Sequence, residues 1–267
     1  MELLSYDFIQ RGIVAGILIG VSSALMGVYL ILKRLAFLGA GLSHAAFGGI
    51  ALSFLLGADP YLFTAIFTLV VANLVEFLTK EKRVPGDTAI AIIFSSGMAL
   101  AVLILGVVKG FGENLFSYLF GNILVVSKRE LAYAFGVFLI VILYLALFYK
   151  KLIVLTFSEE LAKVKGVNVK LMNYSLSSLT ALVTVASIKA VGIILASSLV
   201  VIPAMTGLLL GSSFLGALIW SAVASLLSVV GGIALAFYYD LPPSGAIVGI
   251  SIALFLLAYL LRNLPLK

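Results

Sequence analysis

Uncharged apolar runs of about 20 residues recur along this chain, separated by short clusters of charged and turn-forming residues, which is the pattern of membrane-spanning helices. The first run covers 12–32 and stops at Lys33 and Arg34. The second covers 35–56, and Ala58-Asp59-Pro60 turns the chain into a third at 61–78. A charged connection from Lys80 to Asp87 leads to a fourth at 88–108. The pattern then weakens over 110–130, a segment that reads either as a short helix at the membrane surface or as one dipping back into it. Further runs follow at 131–149, 171–188, 191–211, 214–237 and 246–261. The fold predicted is an all-α, polytopic transmembrane helical bundle, one domain over 1–267, with nine spans or, if one is re-entrant, eight.

Local signals refine this outline. Gly12, Gly16, Gly20, Ala24 and Gly27 give the first span a nearly smooth face, against which another helix can pack closely. Asp87 reads as the N-cap of the fourth span, or as a gate at its mouth, and Ser244 as the cap of the last. The segment 150–170 is the longest with real charge density. Within it Thr156 and Glu159 have capping-box spacing, Glu159 and Glu160 fill a first turn, Lys163 and Lys165 a last turn, and Gly166 a stop. That predicts a helix of two or three turns at 156–166, too short to cross a bilayer. By itself it reads as a solvated loop helix.

Composition agrees with the pattern: 63% of residues are hydrophobic and 10% charged, which excludes a soluble globular domain. The net charge of +6 reads as basic loops beside a membrane rather than as a nucleic-acid surface. With nine spans, twelve lysines and arginines fall on one side and five on the other, which predicts the N-terminus outside and the C-terminus in the cytoplasm. Cysteine is absent, so no disulfide or thiolate metal site exists.

No nucleotide-binding loop, zinc-protease signature or nucleophile elbow occurs in the sequence, so the chain reads as a route for a solute rather than an enzyme. Polar groups inside the spans are then the candidates for that route. The one histidine, His44, lies nine residues into the second span, about 13 Å of helical rise, near the middle of a bilayer. Neutral imidazole at that depth can bind a divalent metal, and Ala40 and Gly48, one turn to either side, leave room around it. A lone histidine in an apolar helix is equally often a packed core residue. Glu76, four residues before Lys80, reads as a structural residue snorkelling to the interface.

Several pieces together resemble the membrane permeases of zinc and manganese ABC importers: KRLAFLGAGLSHAAFGGIAL at 33–52, GDTAIAIIFSSGMALAV at 86–102, LFGNILVVS at 119–127, LTFSEELAKVKGV at 155–167, VGIILASSLVVIPAMTGLLL at 191–210 and YYDLPPSGAIVG at 238–249. The resemblance implies a type II-like importer permease in a prokaryotic plasma (inner) membrane, passing Zn2+, Mn2+ or Fe2+ inward. It implies a homodimer, two cytoplasmic ATPase subunits that bind the ATP, and an external metal-binding protein; this chain would hold no cofactor. The helix at 156–166 then looks like the family's coupling helix, with Glu159, Glu160, Ala162 and Gly166 meeting the ATPase. Many members carry an aspartate four residues before this histidine, where this chain has Ala40. Asp240 is a candidate replacement ligand. The competing functions are a gradient-driven secondary transporter and an ABC permease for a metal chelate such as a siderophore or cobalamin.

Overall fold

The computed structural model describes residues 7–81, 83–107, 118–121, 123 and 126–263. Among these there are helices and no strands: α1 (Asp7–Leu32), α2 (Leu38–Leu56), α3 (Pro60–Lys80), α4 (Gly86–Val107), α5 (Lys128–Phe157), α6 (Glu159–Val164), α7 (Val169–Val191), α8 (Ile193–Leu210), α9 (Phe214–Tyr239) and α10 (Pro243–Asn263). Eight of them are long and apolar enough to cross a membrane. α8, at 18 residues with Pro203 inside it, is shorter but runs from one end of the bundle to the other.

Contacts between helix ends fix the topology. Lys33, just past α1, and Lys80, closing α3, both meet Glu159, just past α5. Phe214, opening α9, packs edge-on against Tyr29 of α1 and Phe157 of α5. Arg262 of α10 reaches the Leu208 and Leu209 carbonyls at the end of α8. At the opposite end Asp59 before α3 pairs with Arg129 of α5, and Tyr61 stacks on Tyr133. The nine long helices therefore alternate in direction, with all the loops around α6 at one ionic end. Residues 110–117 lie outside the described set; Tyr118–Phe120 are helical and Gly121 abuts Gly192 at the other end.

α1, α2 and α7 are the most buried spans, while α4 and α5 show most of their surface. The smooth face of α1 packs as its spacing predicts: Gly16 and Gly20 receive Val229 of α9, and at Gly27 an added Cβ would lie 1.8 Å from the Val200 carbonyl oxygen of α8. Asp59 caps α3, accepting from Tyr61 N and Leu62 N at 3.0 and 2.9 Å with Pro60 at the first helical position.

Other end signals act one step away from where the sequence places them. Thr156 does not cap α6: its hydroxyl donates back to the Leu152 carbonyl within the last turn of α5. Ser158 is the cap, its hydroxyl accepting from Leu161 N at 3.1 Å, because extended backbone at Ser158 breaks the helix there. The short helix is consequently six residues long, closed by Gly166 at φ 73. Asp87 lies inside the first turn of α4, since the Pro85 carbonyl already accepts from Ala89 N. Ser244 likewise lies inside α10, which starts from the Pro242 carbonyl. α5 begins at a capping box of Ser127 and Glu130 and runs 30 residues, through Lys150 and Lys151 rather than ending before them. At 1.5 Å per residue that is about 45 Å, longer than the apolar layer, so these lysines stand outside it while the helix continues.

Candidate functional site

Two regions gather the polar side chains that an apolar bundle has no structural need to keep. One surrounds His44. α2 is built largely from small residues there, and α4 crosses it with Gly97 against the backbone of His44 and Ala45. A Cβ at Gly97 would sit 2.5 Å from both the His44 carbonyl oxygen and the Ala45 Cα, so glycine is what permits the crossing. Gly97→Ala is expected to cost about 1–3 kcal/mol of overpacking. Gly106→Ala on the same helix, where an added Cβ meets nothing within 4 Å, is the control. The melting temperature in detergent should fall for the first and hold for the second; equal values would place the crossing elsewhere.

The imidazole of His44 is half-buried and lies against the ring of Phe94, with 3.9 Å between centroids. Its Nδ1 is covered by protein and has no hydrogen-bond partner among the described residues. A packed core histidine normally satisfies that nitrogen, and here it is left unsatisfied. One turn toward the ionic end, Ala40 and Phe37 stand between two depressions. The first, about 450 Å³, is lined by Gly41, Asp87, Ile90, Ala91, Phe94 and Ser95 as well. The second, about 230 Å³, adds Ala36, Ser197, Ser198, Val201 and Ile202. The exposed face of α2, α4 and α8 thus carries three serines and an aspartate among apolar side chains, with His44 adjoining it through Phe94.

Asp240 does not join them. It is the exposed, left-handed C-cap of α9, at the end of the bundle away from α6. α9 packs on α1, α8 and α10, whereas α2 packs on α3, α4, α7 and α8. Asp87 is exposed on the wall of the larger depression, which Phe94, the ring packed on His44, also lines.

The second region lies beneath α6. Glu159 accepts from Lys80 Nζ with both oxygens, at 2.8 and 2.9 Å, from Lys33 Nζ at 3.3 Å and from Asn173 of α7 at 3.1 Å. Lys33 also donates to Asn173, and Lys170 pairs with Glu81 beside them. Partial burial alone would raise the Glu159 carboxyl, but the hydrogen bonds from Lys80 and Asn173 and the charges of both lysines bring it down to about 2. For Lys33 burial is the larger influence and draws its ammonium below the usual lysine range, against the pull of Glu159.

Glu159 therefore faces the bundle, tied to α1, α3 and α7. Glu160, Lys163 and Lys165 face outward with Phe157, Leu161 and Val164, which are 69%, 48% and 85% exposed. Ala162 is fully buried against the bundle and Gly166 ends the helix. Glu76 does not snorkel to the surface. It is 5% exposed, because α7 brings Ser177 over it and the end of α1 brings Lys33 near.

The sequence profile of the ABC 3 transport family matches residues 5–262. The chain is 33% identical over 258 residues to the manganese transport system membrane protein MntC of Halalkalibacterium halodurans, an alignment covering 97% of this chain and 88% of that one. It is 32% identical over 258 residues to the high-affinity zinc uptake system membrane protein ZnuB of Haemophilus influenzae, covering 97% and 99%. Among solved structures, PsaBC from Streptococcus pneumoniae in complex with Fab superposes with a TM-score of 0.85 at 31% identity, over 96% of this chain and 92% of that one.

Proposed function

The chain belongs to the ABC 3 transport family, and from that premise we propose that it is the membrane permease of an ATP-driven importer for a divalent transition metal of the manganese and zinc class. The observation that carries this reading is the family match across residues 5–262, which takes in both the His44 face and α6. Relatives of nearly the same length are named for manganese and for zinc transport.

The two regions fit the two tasks such a subunit has. The face of α2, α4 and α8 is open on one side, and a second copy facing it would close a route lined by His44, Ser95, Ser197 and Ser198. A neutral imidazole is a ligand for a borderline metal ion, and hydroxyls can replace part of the ion's water shell. One nitrogen without an adjacent carboxylate holds such an ion weakly, and an ion that has to leave again needs weak, successive contacts. At the ionic end the outward apolar and charged side chains of α6 offer a knob for the groove of a cytoplasmic ATPase subunit. The bias of basic residues favours that end as the cytoplasmic one, with the N-terminus outside. Delivery of the ion would fall to an external metal-binding protein.

Proteoliposomes containing this chain, its ATPase and its binding protein should take up radiolabelled manganese or zinc when ATP is enclosed with the ATPase. Uptake driven by a proton or sodium gradient without ATP would instead make the chain a secondary transporter, and uptake of a chelate but not of the free ion would change the cargo.

A further inference from the structure

Glu76 is a buried acid that neither task uses. It is 5% exposed, one turn inside the bundle from Lys80, in a chain where a buried charge without a partner carries a heavy penalty. Ser177 donates to its Oε2 at a long 3.4 Å, and its Oε1 has no hydrogen-bond partner among the described residues. Three other charged groups lie near enough for their charges to act on it. The charges of Lys33 and Lys80 both reach it, as does that of Glu159. Two lysines and two carboxylates make a neutral set, yet the hydrogen bonds are unevenly distributed. Glu159 takes contacts from both lysines, while Glu76 takes one only from a serine.

Lys80 alone satisfies both oxygens of Glu159, so Glu159 does not depend on Lys33. Lys33 is 8% exposed in its side chain and must keep some carboxylate beside it. The element that holds Glu159 is bounded on both sides by breaks in the helical backbone. α6 is six residues long, joined to α5 through extended Ser158 and released from its C-terminus by Gly166 in the left-handed region.

We propose that Lys33 is a two-position charge, shared between Glu159 on α6 and the free oxygen of Glu76 inside the bundle, and that Glu76 is the positioning residue that receives it when α6 moves. Withdrawal of α6 carries Glu159 and its Lys80 contact away, and Lys33 remains with Glu76, Ser177 and Asn173. Return of α6 restores the arrangement in the structure. The two pairings give the bundle two discrete states set by the position of a surface helix, which is what coupling between distant sites requires. This inference rests on the reading of α6 as the ATPase seat.

The test compares variants with the wild-type complex in proteoliposomes, reading metal uptake per ATP hydrolysed. Wild-type uptake on ATP checks the underlying reading separately, before any variant is scored. Glu76→Gln keeps the shape and the Ser177 contact but removes the charge that receives Lys33. Uptake per ATP should fall on the order of tenfold, the weight of one charge-assisted contact present in only one state, with assembly intact. Glu76→Asp, which keeps a carboxylate at this position, should recover at least half of what Glu76→Gln loses. Wild-type uptake per ATP in Glu76→Gln would overturn the proposal. A Glu76→Asp variant no better than Glu76→Gln, or failure of Glu76→Gln to assemble with the ATPase, would reduce Glu76 to a packing residue and overturn it too.

Discussion

Glu159→Lys is expected to abolish ATP-driven metal uptake while leaving the ATPase subunit able to bind. The substitution sets a third cation between Lys33 and Lys80, which lie 3.3 and 2.8 Å from the carboxylate it replaces. Lys33, almost fully buried, loses its ion pair and gains repulsion, and α6 loses its ties to α1, α3 and α7 at once. Breaking a buried pair costs about 3–5 kcal/mol, and the partial exposure of Glu159 reduces that figure; a loss in uptake of roughly a hundredfold corresponds to what remains. Glu160→Lys should behave in the opposite way. That side chain faces outward, so its reversal should weaken copurification of the ATPase in a salt-dependent manner, with uptake per bound ATPase near wild type. If both variants lost the ATPase equally, Glu159 would belong to the partner interface and not to the bundle.

The same carboxylate predicts a flat pH response. A carboxyl depressed to about 2 contributes fully above the ordinary unfolded value near 4.3, and the contribution is lost only as pH falls through about 2. Attachment of α6 should therefore not vary between about pH 6 and 8 on account of Glu159. Any change in coupling over that range arises elsewhere.

The division of labour between Glu159 and Glu160 shows where sequence reasoning stops. Both acids sit in the first turn of one short helix, and their spacing cannot say which faces the bundle. That depends on Lys33, Lys80 and Asn173, supplied from 14 to 126 positions away. Glu76 fails for the same reason: its distance from Lys80 along α3 gives its depth in the membrane but not the Ser177 and Lys33 that pack over it. Depth along one helix is readable because apolar runs and charged ends record it, so α2, α3 and α4 fall within three residues of their expected bounds. Where charge does not coincide with the helix end the reading slips, as at Lys150 and Lys151, which α5 passes on its way to Phe157. The room beside His44 is legible because small neighbours at Ala40 and Gly48 are a local signal; that Phe94 covers its ring and Gly97 admits α4 is not.

His44→Ala should lower metal uptake roughly tenfold or more without unfolding the protein, the loss expected when the one nitrogen ligand on a route of hydroxyls is removed. The ring is half-buried and rests on Phe94, so its removal leaves room that Phe94, itself exposed, can relax into. ATP hydrolysis by the assembled complex should persist, because α6 and its ion pairs lie at the end of the bundle, away from the α2–α4 crossing. Ala40→Asp tests the same site from the other direction. Positions 40 and 44 share one face of α2, and the depressions on either side of Ala40 have space for a carboxylate. Adding it gives the imidazole an oxygen partner one turn away, a pair that grips a divalent ion more tightly than nitrogen alone. Metal should then copurify with the protein and turnover should fall even though the apparent affinity rises, since release becomes the slow step. Unchanged uptake in His44→Ala, together with no retained metal in Ala40→Asp, would move the route off this face of α2.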